Sequence, residues 1–269
     1  MDAATAASLL ERLRQRRPLV QNITNYVSMD IMANALLAAG ASPAMVHAAE
    51  EAAEFAALAD ALSVNIGTLS PHWIEGMRAA ADRAAALGRP WVLDPVGVGA
   101  TRLRDATSAD LLGRRPTAVR ANASEILALA AGAGVPRGVD SAHDSAQAVD
   151  AARGLAAHAG CIVAVTGRTD YVTDGDRILS VEGGHATMTL VTAAGCTVSA
   201  LVAAFLAVGE DPLAATAAAL AFAAVAGETA GSGDPGPGTF RVRWIDALHA
   251  LRPGELAERA RIAPVRPAR

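Results

Sequence analysis

The sequence predicts an α/β protein: a single domain over residues 1–269 with a doubly wound, mostly parallel sheet flanked by helices. Three observations predict it. Short runs rich in β-branched residues alternate with longer Ala/Leu-rich stretches of helical character. The chain is 52% apolar, enough to shield both faces of such a sheet. No composition shift, linker or fixed-period repeat divides it. Aromatic residues are only 3%, so the core has to be built from Ala, Val, Leu and Ile, and small Ala side chains let helices approach closely.

Strands are expected at 44–46, 61–66, 91–94, 118–121 and 161–166. A hairpin follows at 171–173 and 178–181, turning at Asp174-Gly175-Asp176. Helices are expected near 26–39, 71–87, 124–130 and 145–158, with Ser70 before Pro71 as one start signal. The last third reads as two apolar helices, 196–208 and 212–230, joined at Gly209-Glu210-Asp211. A Gly/Pro loop at 231–238 leads to a terminal helix at 239–251, and the polar tail after about 253 is expected to fray.

Charge and residue usage exclude several classes. A net charge of -4 argues against nucleic-acid binding. The chain contains no lysine, so all 23 basic residues are arginines. That removes a P-loop, whose Lys reaches the phosphates, and any Schiff-base lysine. Cys161 and Cys196 cannot form a disulfide framework or a Cys-rich zinc site. The six histidines, His47, His72, His143, His158, His185 and His249, share no metal-ligand spacing and read as surface or packed residues. His185 is a weak exception, because Gly183-Gly184 make its loop flexible. The opening Met1-Asp2 has no basic segment leading into an apolar run, and each half of the apolar stretch 198–225 falls short of a bilayer span. A soluble, cytoplasmic protein is expected.

Four segments could carry chemistry, and each has a plainer alternative. Thr192-Ala193-Ala194-Gly195-Cys196-Thr197 stands before a long apolar helix. Small residues there let backbone N–H groups and the helix N-terminus face an anion such as a transferring phosphoryl group. The alternative is an ordinary glycine loop entering a core helix. Asn122-Ala123-Ser124-Glu125 follows a strand and puts an amide and a carboxylate on one helical turn, at the sheet edge where open α/β sheets bind ligands. With phosphate oxygens they suit Mg²⁺, unless the pair is only a capping box. Trp91-Val92-Leu93-Asp94 ends a buried strand in a carboxylate, placed for a metal or for initiating a turn. Val165-Thr166-Gly167 ends another, beside a strand carrying Arg120, whose fork suits polyphosphate.

Their joint order along the chain resembles the vitamin-kinase branch of the ribokinase-like superfamily. Six segments narrow it: 18–27 (Pro-Leu-Val-Gln-Asn-Ile-Thr-Asn-Tyr-Val), Ala39-Gly40-Ala41-Ser42-Pro43-Ala44-Met45, Asn65-Ile66-Gly67-Thr68-Leu69, 93–99 (Leu-Asp-Pro-Val-Gly-Val-Gly), Arg120-Ala121-Asn122-Ala123-Ser124-Glu125 and Ala193-Ala194-Gly195-Cys196. Over about residues 18 to 200 the chain resembles the hydroxyethylthiazole kinases.

The resemblance implies transfer of the γ-phosphate of ATP to the hydroxyl of 4-methyl-5-(2-hydroxyethyl)thiazole, in a homotrimer with pockets between subunits. On matching positions it implies that Met45 and Gly195 contact the thiazole with Asn25 and Val27 nearby. Arg120, Thr166 and Asn122 would hold ATP, and Glu125 and Asp94 would organise Mg²⁺ and phosphates. Cys196 stands where the superfamily usually has a catalytic Asp; a helix N-terminus lowers a thiol pKa, so it is expected to be partly thiolate with a modest role. Its plainer reading is a small buried hydrophobe. Arg168 departs from a common Glu, and Ala121 from a common Gly. Rival readings are a hydroxymethylpyrimidine kinase, an ATP-dependent hydrate dehydratase for nicotinamide nucleotides, and a non-catalytic thiazole or nucleotide sensor.

Overall fold

Among the described residues there are nine strands: β1 (Leu19–Ile23), β2 (Ser42–Ala44), β3 (Ala61–Asn65), β4 (Trp91–Asp94), β5 (Ala118–Asn122), β6 (Ile162–Thr166), β7 (Thr169–Thr173), β8 (Ile178–Glu182) and β9 (Arg261–Pro264), and short apolar runs set the central ones. The structure, a computed structural model, describes residues 1–135 and 148–265. The strands form one sheet in the order β2-β1-β3-β4-β5-β6-β7-β8-β9. Pairing is parallel from β2 through β6 and antiparallel from β6 to β9.

Alternate side chains go to opposite faces. Ala61, Val92, Ala118, Ile162 and Ala164 join one core cluster; Leu62, Val64, Trp91, Leu93, Val119, Val163 and Val165 join the other. Of the helices, α1 (Ala3–Arg16) and α2 (Met29–Ala39) cover the first face. The second face takes α3 (Ala49–Leu58), α4 (Pro71–Ala86), α5 (Arg102–Leu112), α6 (Ala123–Gly132) and α7 (Val149–Ala159). The chain then returns to the first face with α8 (Ala194–Leu206), α9 (Pro212–Gly231), α10 (Pro237–Ala250) and α11 (Pro253–Arg259). The doubly wound α/β expectation holds.

Several elements differ from the sequence reading. The expected strand at 44–46 forms at Ser42–Ala44, and the helix expected from Tyr26 begins at Met29 because Tyr26–Ser28 make a turn closed by Ser28 N–H on the Asn25 carbonyl. The elements α1, β1, α3 and α5 had no counterpart in the reading. The helix expected from 145 is described only from Val149, and His143 lies outside the described residues. The tail does not fray through residue 265. Leu256 of α11 is fully buried, and β9 pairs with β8 from Leu179–Pro264 to Glu182–Arg261. Backbone pairing and one apolar anchor order a segment that composition alone read as loose.

Helix α9 runs one residue past its expected end, and the expectation that each half of the apolar stretch falls short of a bilayer span is corrected by it. At 20 residues with a mean hydropathy of 1.5 it is long and apolar enough to cross a bilayer, yet 89% of its most apolar window is buried inside the protein. It packs against α1, α8 and α10 as a core helix.

Candidate active site

Strand parity decides which polar side chains meet. Asn65, Asp94, Arg120, Asn122 and Thr166 fall on the same alternate positions as Ala61, Val92, Ala118, Ile162 and Ala164, so all are directed to the α8 face at the carboxyl ends of adjacent strands. Register reinforces this, pairing Asn65 with Asp94 and Asn122 with Thr166.

At the buried end these groups make one network. Asp94, 1% exposed, accepts at Oδ2 from Asn65 Nδ2 (2.7 Å) and from the Ser199 hydroxyl of α8 (2.8 Å). Asn25 Nδ2 donates to Asn65 Oδ1 (2.8 Å) and reaches Cys196 Sγ at 3.5 Å. Asn25 Oδ1 takes the Val27 N–H at 3.1 Å, fixing the turn after β1. Gly67 lets this network close: an added Cβ there would lie 2.7 Å from Asn25 Nδ2 and 2.9 Å from Asn65 Oδ1. Arg104 ties the loops after β3 and β4 together through the carbonyls of Ile66, Val96 and Gly67.

Arg120 links this network to open space. Its NH2 donates to Thr166 Oγ1 at 2.6 Å, and its buried Nε has no hydrogen-bond partner. A Cβ on Gly195 would sit 2.7 Å from Arg120 NH1, so glycine there is what lets the guanidinium lie against the start of α8. Ala193, just before α8, adopts a left-handed conformation (φ 64°), which L-residues visit at a cost. Beyond Arg120 a cavity of about 990 Å³ is lined by Asn122, Thr166, Gly167, Asp170 and Gly195, and by Gly183 and Arg261 at its far side.

Burial and charge set the protonation states. Burial pushes the Asp94 carboxyl up to about 6, with Glu125 adding to the rise and Arg120, Ser199 and Asn65 opposing it. Burial likewise raises Asp170 to about 6 against the Gly167 N–H and Arg120. Cys196 is pushed up to about 11 by burial and then by Asp94, so the expectation of a partial thiolate is corrected. A helix terminus in the open lowers a thiol pKa; here desolvation and a neighbouring carboxylate outweigh it.

The sequence-derived residues divide between two places. Gly195, Arg120, Thr166 and Asn122 border the cavity. Asn25, Cys196 and Asp94 lie in the buried network. Met45 is partly buried and packs against the same core cluster as Cys196. Val27 stands 64% exposed at the turn after β1. Beside it Tyr26 meets Trp73 edge-on (4.7 Å), and Trp73 stacks on His47 (4.1 Å), which braces the loops carrying Val27 and Met45. Asn122 and Glu125 form a complete capping box, as their plainer reading had it: Asn122 Oδ1 accepts from the Glu125 N–H, and Glu125 Oε2 from the Asn122 N–H. Glu125 Oε1 also takes the Gly97 N–H at 2.9 Å, clamping the loop after β4. Asn65, Ser199 and Asp170 were not singled out as site residues. Asn65 had a signal, standing at a strand end opposite Asp94.

Among the described residues no group of three or more His, Cys, Asp or Glu side chains could hold a metal ion by itself. The donors present do fit a hard cation held mainly by phosphate and water, since Asp94 Oδ1 is buried with no partner.

A model of the hydroxyethylthiazole kinase family matches residues 10–254. The chain is 56% identical over 253 residues to a hydroxyethylthiazole kinase of Cereibacter sphaeroides, covering 94% of this chain and 96% of that one. It belongs to the hydroxyethylthiazole kinase family. Within that family, a solved hydroxyethylthiazole kinase structure from Pyrococcus horikoshii superposes with a TM-score of 0.90 at 41% identity, covering 97% of this chain and 99% of that one. A Staphylococcus aureus pyridoxal kinase solved with ADP gives a TM-score of 0.63 at 16% identity, covering 92% and 99%. That second likeness speaks to the fold alone, which is ribokinase-like.

Proposed function

We propose that this kinase transfers the γ-phosphate of ATP to the hydroxyl of 4-methyl-5-(2-hydroxyethyl)thiazole in thiamine biosynthesis or salvage. One observation carries the reading beyond family membership: the entrance of α8 at Gly195 lies against Arg120, while one turn later Ser199 holds Asp94. An anion at that entrance is therefore next to both a guanidinium and a buried carboxylate.

In this reading Arg120, Thr166 and Asn122 hold the polyphosphate, and the backbone N–H groups entering α8 face the transferring phosphoryl group. Met45, Gly195, Asn25 and Val27 border the thiazole, with the Asn25 amide held by Asn65 so that it presents one fixed geometry. Mg²⁺ would be held by Asp94, with Glu125 behind it, and when bound neutralises phosphate charge. Cys196 remains a thiol at neutral pH, so it packs beside the acceptor hydroxyl and does not take its proton. Catalysis is then positioning plus charge neutralisation, and the proton leaves to solvent as the ester forms. A homotrimer in the cytoplasm completes the reading.

The relatives matching almost the whole chain do not favour a pyrimidine kinase or a hydrate dehydratase. The test is ADP release with ATP, the thiazole alcohol or hydroxymethylpyrimidine, and Mg²⁺ or chelator. Thiazole-dependent, chelator-sensitive release with a phosphorylated thiazole product is expected. Tight thiazole binding without ADP release would select a sensor, and sedimentation reads the trimer.

A further inference from the structure

The carboxy-terminal strand β9 lies outside residues 10–254 of the family match, yet it contributes Arg261 to the lining of the large cavity. Its first residue, Arg261, pairs in register with Glu182 of β8, next to the Gly183-Gly184 turn that also lines the cavity. Arg261 NH2 bonds Glu228 of α9. Arg259, at the end of α11 just before the strand, reaches the other oxygen of Glu228 at 3.6 Å and the Thr229 hydroxyl at 2.9 Å, so the approach to β9 is also tied to α9. Gly183, at φ 136°, makes the close approach possible: a Cβ there would lie 3.0 Å from Glu228 Oε1 and 3.3 Å from Arg261 NH2.

Sheet spacing sets the scale. Thr166 on β6 marks the phosphate end, and β9 is three strands further along, roughly 14 Å at the ordinary strand separation. That is comparable with the length of an extended nucleoside triphosphate. The wall of α9 in this cavity is apolar, made of Leu220, Ala223 and Ala224. A slot with small apolar residues on one side and a guanidinium on another suits a flat aromatic ring. Glu228 neutralises Arg261, which disfavours a phosphate as its partner.

We propose that Arg261 packs its guanidinium on the nucleobase of the bound triphosphate, making β9 part of the nucleotide site. The inference rests on the kinase reading above, and binding measurements separate the two. Calorimetric titration with ATP and with inorganic tripolyphosphate compares wild type, Arg261→Ala and Arg261→Lys. ATP affinity is expected to fall roughly 3- to 10-fold in both variants, since Lys keeps the charge but not the plane, while tripolyphosphate affinity stays within about two-fold. Undiminished ATP binding by Arg261→Ala overturns the proposal, as does full rescue by Lys or an equal loss for tripolyphosphate. A wild-type protein that binds ATP but phosphorylates no thiazole alcohol sinks the substrate reading alone and leaves this comparison intact. Absence of ATP binding by wild type overturns both.

Discussion

The two ends of the site are built in opposite ways. At the reaction end Asn65 and Ser199 are fully buried and Asp94 is 1% exposed, and their side chains hydrogen-bond one another. At the nucleotide end the side chains face an open cavity, and Arg261 is 53% exposed. Water screens Arg261 and barely reaches the first region, while Asp170, which lines the cavity yet is desolvated, shares the behaviour of the buried end. That is why Asp94 and Cys196 titrate far from their usual values, and why equal chemical changes at the two ends should have unequal effects.

The largest effect is expected where the ends join. Gly195→Val places side-chain atoms where Arg120 NH1 lies, so turnover should fall by about 10² to 10³, the cost of losing one preorganised charge-stabilising donor. A variant within ten-fold of wild type would show that Arg120 does not need that position.

Asp94→Asn sharpens the comparison by separating function from stability. The folded-state pKa of Asp94, about 6, lies above its ordinary 3.8, so the folded protein holds this proton more tightly than the unfolded chain. Its contribution to stability is therefore present at low pH and is lost as pH rises from 3.8 through 6. At neutral pH, without divalent cations, the neutral amide should be as stable as wild type or more so, by up to about 3 kcal/mol, while activity falls at least about 100-fold. Denaturant melts beside turnover assays read both. A destabilised variant that kept its activity would reverse the assignment.

Cys196→Ala should cost less than about ten-fold in turnover, because the thiol is not ionised. In wild type, alkylation of Cys196 should accelerate with pH towards about 11 with no plateau near neutrality. A plateau below pH 8 would restore a thiolate role. The smallest change is Ala193→Gly, which relieves a left-handed alanine at φ 64° but adds chain entropy. Stability should rise by no more than about 1 kcal/mol, and a thermal melt showing a clear loss would mean that the Ala193 methyl packs usefully.

Much of the site was legible because strand parity is written in the residues. Val92 and Asp94, Ala118 and Arg120, and Ala164 and Thr166 each share a face by spacing alone. Ser199 was not legible, because its tie to Asp94 spans 105 positions and depends on how α8 crosses the sheet. The protonation of Cys196 was misread for a similar reason: a helix start is visible in sequence, whereas burial beside Asp94 is not. The strands with regular apolar runs were read correctly, whereas β1 was missed because Gln21 and Asn22 interrupt its apolar pattern although both are fully buried. Gln21 answers this with side-chain bonds to the Val46 and Ala52 carbonyls, a compensation invisible before folding.

Helix α9 is buried along most of its length, and its cover is shared between α1 and α8, which precede it, and α10 and α11, which follow it in the chain. Trp244 of α10 donates its indole N–H to the Ala223 carbonyl at 3.2 Å, and Arg259 fastens α11 to Val225 and Thr229. During synthesis α10 and α11 emerge last, leaving the face of α9 that they cover open until then. A nascent chain halted before Pro237 would carry a segment that aggregates or seeks a chaperone, and heating the finished protein should therefore end in precipitate that cooling does not recover.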